Sequence, residues 1–456
     1  MALPPIDRTA VVGWYRRNRA RSRALFDMLA AETYYSQPIA LRHPIVFYEG
    51  HLPAFSFNTL VKKALGHPGI DARLETLFAR GIDPHESSSH QAAADGDAPR
   101  TAESNAAVWP TRETVRQFAD EADRHVIDAL MHADLERPGD PFLDGAETVY
   151  TILEHEAMHQ ETLLYMWHRL PFTHKTAPPD AHAQVSGTPP RQEWIAIPGG
   201  CATLGVTRGA VRFGWDNEHP AYAVQVAPFA IERHDVTNAR FLEFVDAGGY
   251  RDERWWTPED WQWVRDESVE HPLFWERAGG SWQWRGMFEM LPLPLSWPVY
   301  VSHAEASAFA RWSGGRLPTE AEFQRAAYGA PDGERRHPWG SSEPSAREGV
   351  FDFVSWDPQP AGSHPAGASA WGVEDLVGNG WEWTSTPFAG FPGFRAMASY
   401  PEYSADFFDG DHFVMKGASP ATARELLRPT FRNWFRARYP YVYATFRCVQ
   451  DDSGRP

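Results

Sequence analysis

In Leu153-Glu154-His155-Glu156-Ala157-Met158-His159-Gln160-Glu161 two histidines stand four residues apart. On a helix, residues at i and i+4 lie one above the other, so both imidazoles can reach a single ion. The neighbours Val149, Ile152, Leu163, Leu164 and Met166 are apolar, which places this helix inside a bundle. Burying two imidazoles without partners is costly, so the pair asks for a metal or for carbonyl acceptors in the core.

Working outward, the helical pattern covers Asp144 to Arg169, and a further helix is predicted over Thr111 to Ala133. Upstream, Val12, Tyr15, Leu25, Met28 and Leu29 recur at helical spacing over 9–32, and another helix spans Ile45 to Leu65 despite Pro53. Between the second and third of these, 83–110 is polar and low in complexity and reads as a flexible surface insertion. Four helices with one long excursion predict a four-helix bundle. The arginines 16, 17, 19, 21 and 23 fall on the first helix and read as a solvated face or a subunit contact.

Residues 171–192 form a Pro-rich linker, giving a helical metal-binding domain over 1–170 and a second domain over 193–456. In the second domain short alternating stretches are broken by Gly, Pro and Trp. Clear helical patterns occur near Asn238 to Ala247 and His303 to Trp312, as expected of an irregular α+β domain. The fold class is therefore a two-domain α+β chain.

A net charge of -17 argues against nucleic acid as a partner, because phosphate binding needs a basic face. Only Cys201 and Cys448 are present, which excludes a disulfide scaffold and a thiolate-rich metal site, so a metal here must use His and carboxylate. Neither an apolar signal core nor an apolar run of about 18 residues occurs, and the expectation is a cytoplasmic protein without a membrane partner.

Two metal readings compete. His155-Glu156-Ala157-Met158-His159 matches the zinc-peptidase pattern H-E-x-x-H, in which the Glu is general base. Its extended form fails, because Thr162 and Tyr165 occupy the Gly and His positions. The other reading is H-x-x-x-H-x-E, with His155, His159 and Glu161, completed by an upstream histidine. His43 and His51 are the candidates. His51 lies about two turns into its helix, at the depth where bundle metal sites form. Three neutral imidazoles leave open positions on Fe(II), which suits substrate and dioxygen.

The histidine-bearing bundle followed by Arg316-Leu317-Pro318-Thr319-Glu320-Ala321-Glu322-Phe323 and Gly378-Asn379-Gly380-Trp381-Glu382-Trp383-Thr384 resembles the ergothioneine-type sulfoxide synthases. The resemblance covers roughly 10–450. It implies a DinB-like four-helix bundle and then an irregular domain of the formylglycine-generating-enzyme fold, which is C-type-lectin-like. It also implies Fe(II) on His51, His155 and His159, and dioxygen-dependent coupling of a sulfur or selenium donor to the imidazole C2 of hercynine. Formylglycine generation is not expected, since its two nearby C-terminal cysteines are reduced to Cys448.

The same resemblance places a catalytic tyrosine in Ser399-Tyr400-Pro401-Glu402-Tyr403, with Tyr400 preferred to Tyr403. A phenol can give a proton or an electron where no aliphatic side chain can. Arg432-Asn433-Trp434 matches the segment that holds hercynine, where an aromatic face suits a trimethylammonium group. Departures concern the donor. Phe435 and Tyr439 stand where the ergothioneine branch has Asp and Arg, and Met158 stands where it has Gln. These departures point to the selenoneine-synthase branch, with a selenosugar as donor. The alternatives are a hercynine sulfoxide synthase using cysteine or γ-glutamylcysteine, and, further off, a zinc hydrolase.

Overall fold

The side chain of Asp7 accepts from the amide of Ala10 and so caps α1 (Arg8–Asp27), whose inner face carries Val11, Val12, Tyr15, Leu25 and Phe26. Pro44 precedes α2 (Ile45–Ser56), which is buried all round and runs through Pro53 into a wider π-helical stretch over Phe57–Ala64. Two short helices follow, α3 (Ala72–Leu77) and α4 (Ala102–Ala106). Thr111 caps α5 (Arg112–His132), and α6 (Glu147–Arg169) completes the set. The computed structural model describes residues 4–79, 102–179, 181 and 183–451. Most of the 83–110 insertion lies outside the described residues; its described part, 102–110, contains α4.

The chain divides into two compact units, Met1–Pro179 with Met397–Tyr400, and Asp180–Ala396 with Pro401–Pro456. In the first, α1 and α2 each pack on α5 and α6, a four-helix bundle around Val12, Tyr15, Leu60, Val126, Leu130, Ile152 and Leu153. The start of the Pro-rich stretch belongs to this unit. His174 O accepts from Ala30 N, and Lys175 Nζ donates to Trp167 O at 2.8 Å. The arginine run is not uniformly solvated. Arg19 turns inward and pairs with Asp123 at 2.8 Å and Glu156 at 2.9 Å, because those carboxylates on α5 and α6 face α1.

The second unit is built on a four-stranded sheet in the order 433–436, 412–418, 380–387, 444–445, antiparallel except for the last pair. Three-stranded sheets of 194–197, 229–232 and 449–451, and of 275–278, 281–285 and 290–292, lie in the same unit. Besides the helices Asn238–Asp246 and His303–Trp312, two more occur, Pro258–Asp266 and Glu320–Tyr328. Each has nine residues, as Asn238–Asp246 has, and Thr319 and Glu322 form a capping box on the second. Gly378 (φ 111°) precedes the Gly380–Pro387 strand, and a Cβ there would meet the Val350 amide nitrogen at 2.7 Å. Within that strand Glu382 accepts from Arg447 Nε at 2.6 Å, and Asp235 accepts from Arg447 Nη2 at 3.0 Å, all three side chains being 0% exposed.

Candidate metal centre

Residues 147, 151, 155 and 159 of α6 follow one another at four-residue spacing, so Glu147, Thr151, His155 and His159 form one slowly turning stripe. The His155 and His159 ring centroids are 4.4 Å apart, and His51 on α2 stands 5.1 Å from each. Among the described residues these three form a group whose ligand-capable atoms all lie within 4.8 Å of one another. Ligand atoms grouped in this way could be shared by a single ion.

Gly50 and Phe78 set the orientation of His51. A Cβ on Gly50 would stand 2.5 Å from the Phe78 ring, so only glycine lets that ring approach α2. The Phe78 carbonyl then takes the Nδ1–H of His51 at 2.7 Å, leaving Nε2 with its lone pair. The His155 ring lies flat on Phe55, with centroids 3.5 Å apart, and His51 stacks on Phe47.

His51 Nε2, both His155 nitrogens and His159 Nδ1 are buried and have no hydrogen-bond partner. Burial, with neighbouring imidazoles adding to it, keeps all three rings neutral. His51 is held down to about 4, and His155 and His159 well below the usual histidine range. Buried nitrogens that are lone-pair donors and lack protein partners are what a cation requires, so the residues present fit a metal ion.

His43 is not in the group; its ring stacks on Phe47 at 4.1 Å. Glu161 is also outside it. Glu156 does not serve the histidines either, because one oxygen accepts from Arg19 at 2.9 Å and Ser22 at 2.7 Å. An ion pair with α1 is not the setting of a free general base, which weighs against the zinc-peptidase reading. Met158, half-buried, lies between the two histidines on α6.

The two tyrosines separate. Tyr400 belongs to the helical unit, its ring 5.1 Å from Phe55 and 6.1 Å from His155. Tyr403 is buried in the second unit, stacked on Trp215 at 3.9 Å and edge-on to Trp434 at 5.1 Å. In that unit Trp434 stacks on Phe388 at 4.1 Å, so one indole face is already covered. Asn433 Oδ1 accepts from the Trp434 amide at 2.9 Å.

Arg432 is buried and bound to the protein itself. It donates to Glu320 at 2.9 and 3.1 Å and to the carbonyls of Asn217 and Ala389, and it sits over the rings of Phe388 and Phe391. Four of its N–H donors are thus engaged by the protein, in a buried ion pair that joins segments far apart in sequence. Phe435 and Tyr439 stack on each other at 5.2 Å. Arg428 pairs with Glu218, and Arg438 with Asp260 and Asp411. Phe78, Lys63 and Ser399 were not signalled by the sequence, since each acts through contacts distant along the chain.

The DinB superfamily model matches residues 15–163, and the sulfatase-modifying factor enzyme 1-like domain matches 181–452. A hercynine oxygenase of Mycolicibacterium smegmatis is 39% identical over 66% of this chain and 71% of its own. One from Mycolicibacterium thermoresistibile is 36% identical over 74% of each chain. Ergothioneine biosynthesis protein 1 of Neurospora crassa is 27% identical over 93% of this chain and 56% of its own. Among the described residues no helix is long and apolar enough to cross a membrane.

Proposed function

The chain belongs to the hercynine oxygenase family of oxidative enzymes, and from that premise we propose that it binds one Fe(II) through His51, His155 and His159 and joins a sulfur donor to the imidazole of hercynine. The observation that carries this reading is the set of three neutral imidazoles that carry buried, unpartnered nitrogens and offer ligand atoms within 4.8 Å of one another. A ferrous ion held by three imidazoles supplies open positions and one-electron chemistry toward dioxygen.

The protein side of the mechanism divides into binding, orientation and proton handling. Phe78 fixes the His51 tautomer, and Phe55 keeps the His155 ring from rotating. Tyr400, beside His155, holds a phenolic proton at Oη where the reaction needs an acid. Asn433 keeps its Oδ1 on its own strand, which leaves Nδ2 hydrogens for a substrate carboxylate. Trp434 is the aromatic group this reading assigns to the trimethylammonium of hercynine, an attraction of ~1–2 kcal/mol when desolvated.

The donor in this reading is cysteine or γ-glutamylcysteine; the names of the relatives point to hercynine and ergothioneine. A second reading, a selenosugar donor as in selenoneine synthesis, draws on one observation. Where a charged donor would need an acid and an arginine, Phe435 and Tyr439 present stacked rings. Incubating the iron-loaded protein anaerobically with hercynine, adding oxygen, and comparing cysteine, γ-glutamylcysteine and selenosugar by mass spectrometry tests both. A sulfoxide adduct supports the first and a selenium adduct the second, and no adduct with any donor defeats the proposal.

A further inference from the structure

The stripe on α6 that ends in His155 and His159 begins with two polar residues, Glu147 and Thr151, that are not part of the metal group. Both are engaged by a segment far away in sequence. Ser399 Oγ donates to Glu147 Oε1 at 2.8 Å, and Thr151 Oγ1 lies 3.2 Å from the same hydroxyl. From the π-helical end of α2, Lys63 Nζ donates to the carbonyls of Ala398 at 2.9 Å and Ser399 at 3.2 Å. Ser399 and Thr151 are buried, and the four residues Met397–Tyr400 group with the helical unit although the chain on either side belongs to the other.

We propose that Glu147, Thr151, Lys63 and Ser399 form a clamp whose function is to position the Tyr400 phenol beside His155. This rests on the reading of Tyr400 as the acid of the reaction. The next residue after the clamped serine is Tyr400 itself, so the register of one backbone bond carries the restraint to the ring. Because Glu147, Thr151 and His155 share one helix face, the phenol and the ligand are located by the same rigid element. None of the four clamp residues is assigned a contact with substrate, so they are positioning residues. A displacement of about 1 Å at such a group costs up to about a hundredfold in rate.

The test uses the iron-loaded full chain with Ser399→Ala, Glu147→Ala, Lys63→Met and the conservative Glu147→Gln, whose amide oxygen still accepts from Ser399. The expected result for the first three is a kcat lower by about tenfold or more, with KM within about twofold and iron stoichiometry unchanged. Glu147→Gln stays within about threefold of wild type. In a Tyr400→Phe background Ser399→Ala lowers kcat by less than about twofold more, since the clamp acts through the ring already removed. Additive losses, or a kcat in Ser399→Ala within about twofold of wild type, overturn the clamp.

A readout independent of turnover separates this from the assignment of the reaction. With 3-fluorotyrosine at position 400, the wild type should give one narrow fluorine resonance and Ser399→Ala a shifted or broadened one. An identical resonance in both overturns the clamp whatever the protein catalyses. Absence of turnover with every donor, together with the expected resonance change, removes the proposed reaction and leaves the clamp standing.

Discussion

The Nδ1 of His51 donates to the carbonyl oxygen of Phe78 across 2.7 Å, and this bond leaves Nε2 as the ring's one lone-pair nitrogen. A backbone carbonyl therefore dictates which atom faces the other two imidazoles. Residues that orient a ligand typically change metal affinity 10- to 100-fold when disturbed.

Gly50 is the lever on that bond. Adding a single methyl group as Gly50→Ala sets a Cβ against the Phe78 ring, 2.5 Å away in the present geometry, so the ring and its carbonyl must shift. The expected outcome is an iron affinity about tenfold weaker, with the bundle still folded by circular dichroism. Equilibrium dialysis against Fe(II) under anaerobic conditions makes the comparison, and equal affinities would show that the carbonyl does not set the tautomer.

Glu156 separates the helix motif from its zinc-peptidase meaning. Its carboxylate is bound to Arg19 and Ser22 on α1, and burial raises its pKa while Arg19 opposes that. Glu156→Gln should cost about 1–3 kcal/mol of stability, by weakening a charge-assisted hydrogen-bond network. Turnover per bound iron should stay within a few fold, where loss of a general base would cost about 10²–10⁴-fold. Urea unfolding and single-substrate kinetics on the same preparation give both values.

What the sequence made legible follows the range of the interactions. The His155–His159 pair is a local relation, set by helix geometry alone, and His51 could be chosen over His43 from its depth in the next helix. Tyr400 could be preferred to Tyr403 only by resemblance; its ring stands 6.1 Å from that of His155. Arg432 enters the candidate site by resemblance alone, and its ion pair with Glu320, 112 positions away, is announced by nothing local. Arg19 reads as solvated for the same reason, its carboxylates being on α5 and α6. The grip of Phe78 on His51 was beyond reach in principle. It is made by a carbonyl, which every residue type has.

Arg447 holds two carboxylates that never meet water. Asp235 and Glu382 both have raised pKa values, burial being the larger cause and the guanidinium opposing it. Removing the cation as Arg447→Met leaves buried charge or forces protonation, so a loss of about 3–5 kcal/mol is expected. The loss should appear in calorimetry as a lower transition for the second unit, with Fe(II) affinity within about twofold of wild type. A shift under about 1 kcal/mol would mean that the network contributes no net stability.

His303 gives the second unit a pH dependence of definite sign. Its ring stacks on Phe413 with centroids 3.8 Å apart, and Nε2 is buried without a partner. Burial pulls its pKa down to about 3; a contact with the Thr384 backbone pushes upward and nearby Arg311 pushes downward. An unfolded histidine titrates near about 6.5. Between those two values the unfolded chain holds a proton that the folded chain refuses, so stability is lost as pH falls below about 6.5, by up to ~1.4 kcal/mol per pH unit. His303→Phe keeps an aromatic ring and removes the proton site. Urea midpoints followed by tryptophan fluorescence at pH 7 and pH 5 should therefore fall less in the variant than in the wild type, by up to about 2 kcal/mol. Equal losses in the two proteins would mean that His303 is already protonated, or reaches water, in the folded state.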